Sequence, residues 1–476
     1  MPIMTTNPTE APGAPPLASA GEEGYKRGLN PRTIQMIAIG GAIGTGLFYG
    51  AGGAIEQAGP ALILCYLAAG LAIFVIMRAL GELLTYRPVS GSFAEYANEF
   101  LGRFAGFVTG WTYWAVWVAT CMAEITVAGK YVKYWFAVPE WLTALVVLGI
   151  LFAANLISVK LFGEGEFWFS AIKIVAIAGM ILIGLGVLIF GFGNTDHSTV
   201  TNLWDDGGVF PTGYGQALLA LQIVVFAYVG VELVGVTAGE AAEPRKTLRK
   251  AINTLPLRIG LFYVGALIII MSVVSWTQFE DGTSPFVEVF SRIGIPGAAG
   301  LINFVLLTAA LSSCNSGIYS TGRMLRSLSL RDEAPAALSG LSSRQVPYGG
   351  IVVSAAMMVI GVVVNVVSPD KAFSYITSVS TMGIIFVWGM ILVCHFLYRA
   401  KVRRGDLPAA DYRLPGAPLT STLALAFLGL VVVLLFFTDS GRTALIVGLV
   451  WGVLVCAGYP LMNTLARRRA AAVPAR

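Results

Sequence analysis

Apolar residues form long, nearly uninterrupted runs along this chain, and short polar connections separate the runs. Most runs reach the roughly 20 residues that an α-helix needs to cross the hydrocarbon core of a membrane. None shows the alternating pattern of about ten residues that is typical of a transmembrane β-strand, so helices are the spanning structure that remains. The pattern therefore predicts an all-α polytopic membrane protein of about twelve transmembrane helices. The predicted spans are residues 33–57, 59–84, 101–135, 138–159, 165–192, 214–238, 254–277, 298–329, 348–366, 371–396, 418–437 and 441–464.

Glycines interrupt two of these spans. The first span carries "GGAIGTGLF" at residues 40–48, and the sixth carries "VVFAYVGVELVG" at residues 224–235. Each glycine weakens a helix by about 1 kcal/mol relative to alanine, so breaks at these two points call for a functional reason. Five spans precede the sixth, so the two breaks lie on helices of opposite orientation, and paired breaks of this kind are typical of an inverted-repeat transporter. The alternative is that the small residues only let helices pack closely.

The two breaks expose opposite kinds of backbone group. N–H groups at the start of a half-helix attract an anion such as a carboxylate. Unwound carbonyl groups at the other break attract an ammonium group. Together they fit the zwitterionic backbone of an amino acid, whatever its side chain.

Composition and charge agree with a membrane location. Hydrophobic residues make up 56% of the chain and charged residues only 12%. Basic residues crowd alternate connections, so the positive-inside rule predicts that both termini are cytoplasmic. The net charge of +5 is then a consequence of topology and does not indicate a nucleic-acid partner. The basic residues in these connections are Lys26, Arg27, Arg32, Arg87, Arg103, Arg245, Lys246, Arg249, Lys250, Arg331, Arg344, Arg399, Lys401, Arg403, Arg404, Arg413, Arg467, Arg468 and Arg469.

The termini and the rarer residue types argue against several other classes of protein. Residues 1–25 are rich in Pro, Ala and Thr, which predicts a disordered cytoplasmic tail rather than a signal peptide. A second short tail is expected at residues 465–476. The five cysteines have no ligand spacing, and no Gly-rich phosphate-binding loop with its lysine occurs. We therefore expect no enzyme activity, no catalytic residue, no cofactor and no metal site.

Several stretches resemble the bacterial amino acid transporter family of the amino acid–polyamine–organocation superfamily. The resemblance runs from about residue 25 to about residue 465. It implies a transport core at residues 26–396, built as a five-plus-five inverted repeat in which helices 1 and 6 are broken, followed by two extra helices at residues 397–464. It also implies proton-coupled uptake across the bacterial cytoplasmic (inner) membrane. The stretches are "IAIGGAIGTGLF", "MRALGELLTYRPVSGSFAEYANEFLG", "FGEGEFWFSAIKIVAI", "FAYVGVELVGVTAGEAAEPRKTLRKAIN" and "LTAALSSCNSGIYSTGRMLRSLS".

The family's pattern implies where the substrate binds. Backbone N–H groups in "GTG" are expected to hold the substrate carboxylate, and carbonyl groups of both breaks are expected to hold its ammonium group. Tyr228 is expected either to close over the substrate as a gate or to pack as a buried aromatic residue. The substrate-binding positions implied are Ile39, Gly40, Ile43, Gly44, Thr45, Gly46, Phe226, Ala227, Tyr228, Val229 and Glu124.

Five polar residues inside the spans are candidates for coupling or binding. Lys173 lies about two turns inside the fifth span, where a charge is functional by default unless its long side chain reaches the membrane surface. In similar transporters a lysine here takes the space of a sodium ion, which favours H⁺ as the coupling ion. Glu232 is expected to stabilise the second break or to move protons, and Glu124 to reach the pocket or to join two helices. Ser312 and Ser313 border the coupling site or serve as interhelical hydrogen bonds.

The sequence thus predicts a secondary active transporter that imports a neutral L- or D-amino acid by proton symport, with alternating access. Two alternatives stay open, an amino acid exchanger without net proton coupling and a permease-like sensor. No acidic residue is clearly dedicated to a cationic side chain, which favours a neutral substrate. The motifs resemble permeases for asparagine, proline, aromatic amino acids and D-serine, D-alanine or glycine, and they do not choose among them. The expected partners are the small-molecule substrate and membrane lipid, with the oligomeric state open.

Overall fold

The computed structural model describes residue 36 and residues 43–89, 92–157, 159–191, 198–237, 244–294 and 296–472. Every regular element in these residues is helical, so the all-α prediction is confirmed for this part of the chain. A π-helix, Ile259–Gly265, links the α-helices Leu255–Arg258 and Ala266–Val273. The α-helices are α1 (Thr45–Phe48), α2 (Gly50–Ala58), α3 (Leu62–Tyr86), α4 (Ser92–Leu101), α5 (Arg103–Lys133), α6 (Glu140–Ile157), α7 (Val159–Phe190), α8 (Tyr214–Leu219), α9 (Leu221–Ala227), α10 (Leu233–Thr237), α11 (Pro244–Asn253), α12 (Leu255–Arg258), α13 (Ala266–Val273), α14 (Pro285–Ile293), α15 (Ala298–Leu330), α16 (Tyr348–Val367), α17 (Ala372–Arg404), α18 (Leu419–Leu435) and α19 (Asp439–Ala472).

By length and composition, eight helical segments of the described chain are able to cross a membrane. Two shorter apolar helices, Tyr214–Ala227 and Leu419–Leu435, accompany them. A multi-pass membrane protein is confirmed in this form, while the total of twelve spans and the inverted repeat stay predictions. The eight segments are Gly50–Tyr86, Glu140–Ile157, Gly163–Phe190, Arg245–Val273, Ala298–Leu330, Tyr348–Val367, Ala372–Arg404 and Asp439–Leu465.

Three helices lie where the hydrophobic pattern predicts only connections. These are α4, α11 and α14, each of nine or ten residues. They were missed because each is amphipathic and lacks the long apolar run that marks a span. Helix α17 continues past the predicted end of the tenth span at residue 396, through a basic segment to Arg404. A helix of Lys and Arg residues needs no apolar surface once it has left the hydrocarbon core.

The helices are arranged around α15 and α5. In the most apolar part of α15, 78% of the residues are buried, against 6% in α19, so α15 lies in the core and α19 at the periphery. Helix α5 packs against α15, α16 and α17. A Cβ atom on Gly317 of α15 would collide with Cys121 of α5, so this crossing needs a glycine. The close approach brings polar residues of α5, α7 and α15 into one buried region.

Candidate functional site

The two interrupted spans touch each other. A Cβ atom on Gly46 would lie 2.5 Å from the Cα atom of Ala227 and 2.9 Å from its backbone nitrogen. Only a hydrogen atom fits between these backbones. The glycine of the first break is therefore required for contact with the last turn of α9, where the second break begins.

The first break starts at an extended residue. Gly44 has φ −124° and ψ −162°, and α1 begins at Thr45 with no side chain capping it. The chain turns again at Tyr49, which separates α1 from α2. Ile43 and Thr45 are each 1% exposed, so this segment lies inside the protein. The predicted positions Ile39 and Gly40 lie outside the described residues.

Glu124 of α5 reaches this break. Its side chain is 2% exposed. A Cβ atom on Gly44 would lie 2.8 Å from its Oε1 atom. The backbone N–H and the hydroxyl group of Thr45 face the carboxyl group, as does the hydroxyl group of Ser313. A carboxyl group of the protein itself thus lies at the start of α1, the location predicted for the substrate carboxylate.

The second break runs from Ala227, where α9 ends, to Leu233, where α10 begins. Gly230 has φ +106°, a backbone conformation that side chains other than hydrogen disfavour. Its N–H donates to Oε2 of Glu232 over 3.0 Å, and the Tyr113 hydroxyl donates to Oε1 of Glu232 over 3.4 Å. Glu232 therefore satisfies a backbone donor that the break leaves without a helical partner.

Carbonyl groups of the second break already have hydrogen-bond donors. The Tyr263 hydroxyl donates to the Ala227 carbonyl over 3.2 Å. The Phe226 carbonyl accepts the N–H of Val229 over 2.9 Å. Each carbonyl oxygen has a second lone pair, so these contacts are compatible with a further donor such as an ammonium group.

Tyr228 is fully buried in an aromatic cluster. Its ring stacks on Tyr263 at a centroid distance of 4.7 Å, and its hydroxyl group donates to the Tyr66 carbonyl over 2.9 Å. Tyr263 belongs to the π-helix, a geometry that is often found at functional sites. The gating role of Tyr228 stays a prediction.

Lys173 of α7 points into the protein and does not reach the surface. Its side chain has no exposed area, and Nζ donates to the Ile43 carbonyl over 3.2 Å. Its acidic neighbours are Glu166 and Glu124. In this conformation the Lys173 ammonium group therefore does not extend to the membrane surface, which was the alternative to a functional role.

Glu166 is a buried acid that the sequence analysis missed. It has no exposed area, and its Oε1 atom accepts the Ser312 hydroxyl over 2.6 Å. Asn315 also faces its carboxyl group and accepts a hydrogen bond of 2.7 Å from Asn155 of α6. Glu166 precedes Lys173 by two helical turns, so both lie on one face of α7. The spacing of two helical turns between an acid and a lysine is the signal by which sequence analysis can find Glu166.

A large cavity leads toward this region from one end of the molecule. We call it the vestibule; its volume is 710 Å³, and Tyr49, Lys130, Asp281, Asp370 and Phe373 are among its lining residues. The rings of its lining residues Tyr49 and Phe373 lie edge to face at a centroid distance of 4.9 Å. The vestibule thus lies beside the first break, since Tyr49 directly follows α1.

Comparison with known proteins gives similarity over nearly the whole chain. A family model described as amino acid permease matches residues 33–471. The uncharacterized amino acid permease YtnA of Bacillus subtilis is 48% identical over 435 residues, which cover 91% of this chain and 94% of that protein. The probable threonine/serine transporter YbxG of Bacillus subtilis is 46% identical, with 91% and 94% covered. The L-asparagine permease of Escherichia coli is 44% identical, with 93% and 89% covered.

Proposed function

The chain belongs to the amino acid permease family, and from this premise we propose that it imports a neutral amino acid by proton symport with alternating access. Its membrane is the bacterial cytoplasmic membrane, with the basic connections and both termini on the cytoplasmic side. The vestibule then opens to the outside. The observation that carries the proposal is the position of the Glu124 carboxyl group against Thr45.

Glu124 indicates what the first break is suited to bind. The Thr45 N–H and hydroxyl group and the Ser313 hydroxyl group surround a carboxyl group in a region shielded from water. Hydrogen bonds from these donors to an ionised carboxylate would be charge-assisted, and such bonds are about twice as strong as neutral ones. A substrate carboxylate entering from the vestibule would use the same donors.

Competition for these donors links substrate binding to a proton. Two carboxylates that share one buried site cannot both be ionised without a large cost, so the pair favours taking up one proton. Glu124 is the acid that would hold this proton when the substrate binds. Lys173 faces both Glu124 and Glu166, and it would compensate the charge that remains.

The substrate's ammonium group fits the second break. The carbonyl groups of Phe226, Ala227 and Val229 lie in the segment where α9 ends, directly beside Gly46. Ammonium groups have three donors and no acceptor, so a cluster of carbonyl oxygens is a suitable partner. Carboxylate and ammonium would then be held by adjacent segments, which leaves the side chain to set specificity.

Relatives named for L-asparagine and for threonine/serine support a neutral, polar substrate. L-Asparagine, L-serine and L-threonine are therefore the first three compounds to test. Their D-enantiomers belong in the same panel, because the recognition proposed here depends mainly on the amino acid backbone.

Uptake into proteoliposomes tests the proposal. With a more acidic outside and an empty lumen, we expect labelled substrate to accumulate and the lumen to acidify with it. Uptake that needs a preloaded amino acid and ignores the pH gradient would contradict symport and favour exchange. No uptake of any amino acid, with binding retained, would favour the sensor.

A Glu124→Gln variant separates binding from coupling. The amide imitates the protonated acid, so we expect exchange of internal for external substrate to persist while accumulation driven by the pH gradient is lost. Loss of the gradient-driven step alone identifies Glu124 as the proton site. Unchanged accumulation by this variant would remove Glu124 from the mechanism.

A further inference from the structure

A second cavity lies far from the broken helices, where the last turns of α17 meet the segment that leads to α18. Its volume is 170 Å³. We call it the arginine pocket. Its lining includes Arg399, Arg403, Arg413, Phe396, Val402 and Pro418.

The arginine pocket has an excess of positive charge. Glu82 is the one acid among its lining residues, against three arginines. Arg399 forms an ion pair with Glu82 through Nε and Oε1 over 2.7 Å, which cancels these two charges. The Glu82 carboxylate also binds His395 over 3.0 Å and the Leu414 N–H over 2.7 Å, so its oxygens are occupied. The other two arginines are left without this compensation.

Arg403 and Arg413 form no salt bridge within the described part of the chain. Arg403 follows Arg399 by one helical turn and is exposed. Arg413 donates from Nε to the Ala410 carbonyl over 3.2 Å, a contact that positions its guanidinium group and leaves the terminal amino groups available. Two guanidinium groups around one cavity match the geometry of a phosphate group.

The apolar surface next to the arginine pocket suits a lipid. Helix α18 begins directly after Pro418, and its Leu419 and Leu423 are 65% and 61% exposed. An apolar helix with such exposed leucines faces lipid chains in a membrane. Basic pockets between transmembrane helices on the cytoplasmic side are known to bind phosphate headgroups, and that leaflet is rich in anionic lipid.

We propose that the arginine pocket binds a phosphate group, and that in the membrane this group is the headgroup of an anionic phospholipid whose acyl chains lie along α18. Free phosphate has the same chemistry and is the other source. The ligand lies between α17 and α18, so it stabilises the packing of these two helices. This inference rests on the proposed orientation, which places the pocket on the cytoplasmic side, but not on the transport mechanism, so no transport assay is needed to test it.

The lipid arm of the test uses the full-length protein in nanodiscs of phosphatidylcholine, with or without phosphatidylglycerol. Native mass spectrometry measures the retained lipid, and the Tm of the protein is measured in parallel. We expect phosphatidylglycerol to be retained and to raise the Tm of the wild-type protein. An Arg403→Gln/Arg413→Gln variant is expected to bind it about thirtyfold more weakly, because each of the two arginines near the surface contributes to the attraction.

Two further variants keep the test decisive. Arg404→Gln removes another exposed charge from the same turn of α17 but not from the pocket lining, so lipid retention should be unchanged. Arg403→Lys keeps a positive charge and should retain most of the binding even if the double variant folds poorly. Equal retention by the double variant and by Arg404→Gln would overturn the proposal.

Free phosphate is the second arm. Inorganic phosphate is titrated into the detergent-solubilised protein, with chloride at equal ionic strength as the control. A Tm increase with phosphate in the wild type and not in the double variant, without selective retention of phosphatidylglycerol, would support the pocket and overturn the lipid assignment. An absence of response to both compounds would overturn both.

Discussion

Lys173 is fully buried, with Glu166 on its own helix and Glu124 on α5 as its acidic neighbours. A buried ammonium group is costly unless oppositely charged groups and hydrogen bonds compensate it. The Ile43 carbonyl supplies one such bond, at the residue that precedes the first break. Any change in charge at Glu166 or Glu124 therefore acts on Lys173 and, through it, on the broken segment.

Replacing Glu166 by glutamine tests this charge relation. Glutamine keeps the shape and can accept the Ser312 hydroxyl, but it removes the negative charge. Breaking a buried pair on one side costs about 3–5 kcal/mol, so we expect a lower Tm and a loss of most gradient-driven uptake. Glu164→Gln is the matched control, because Glu164 is exposed on the same helix. Equal behaviour of the two variants in uptake and Tm would contradict the role of Glu166.

A methyl group at Gly46 tests the contact between the breaks. It would lie 2.5 Å from the Cα atom of Ala227, a backbone atom that cannot move aside alone. Overpacking of this kind costs about 1–3 kcal/mol, and we expect Gly46→Ala to abolish substrate binding while α1 and α9 are forced apart. Gly149→Ala is the control, since its Cβ would meet no atom within 4 Å. Substrate affinity, measured by isothermal titration calorimetry, should be normal in the control. Normal affinity in Gly46→Ala would refute the contact.

The sequence identifies some of these residues and not others for a physical reason. Lys173 and Glu124 each interrupt a long apolar run, so their cost in a membrane is visible from the sequence. Glu166 lies at the edge of the span predicted at residues 165–192, where a carboxylate costs little. The structure buries it because α7 packs there against Ser312 of α15. A contact between two distant helices leaves no signal in the apolar pattern of either one.

At the scale of the element, glycines predict where the sixth span breaks but not what stabilises the break. The positive φ of Gly230 follows from its residue type. The bond from its N–H to Glu232 requires a side chain to fold back two residues, and the bond from Tyr263 to Ala227 requires a π-helix in a different span. Neither hydrogen bond leaves a periodic pattern in the sequence. Both bonds depend on tertiary packing, so the structure is needed to find them.

Two variants of Glu232 separate its two predicted roles. Glutamine can still accept the Gly230 N–H, whereas leucine cannot. We expect Glu232→Gln to retain substrate binding and the pH dependence of uptake, and Glu232→Leu to lose both, because an unsatisfied buried donor costs about 1–3 kcal/mol. Binding and uptake at several pH values are the measurements. A Glu232→Gln variant that binds substrate but takes it up independently of pH would instead assign Glu232 to proton movement.

At the scale of the whole molecule, the vestibule and the arginine pocket differ in charge. The vestibule is lined by Glu56, Asp281 and Asp370 with a single basic residue, Lys130. The arginine pocket has the opposite balance. Lysine and arginine are retained on the cytoplasmic side during membrane insertion, so this difference supports the proposed orientation, in which the vestibule opens to the outside. Charge patterning along the sequence predicts the orientation, but the vestibule itself arises only when α2, α9 and α17 pack together.

Cysteine labelling in intact cells tests this orientation. Asp370 in the vestibule and Asp406 beyond α17 are both exposed, so a cysteine at either position is accessible from water. We expect a membrane-impermeant maleimide to label Asp370→Cys in intact cells and Asp406→Cys only after permeabilisation. The wild-type protein sets the background, because four of its cysteines are buried and Cys456 lies on the apolar helix α19. The reverse labelling pattern would place the vestibule in the cytoplasm and make the proposed import direction wrong.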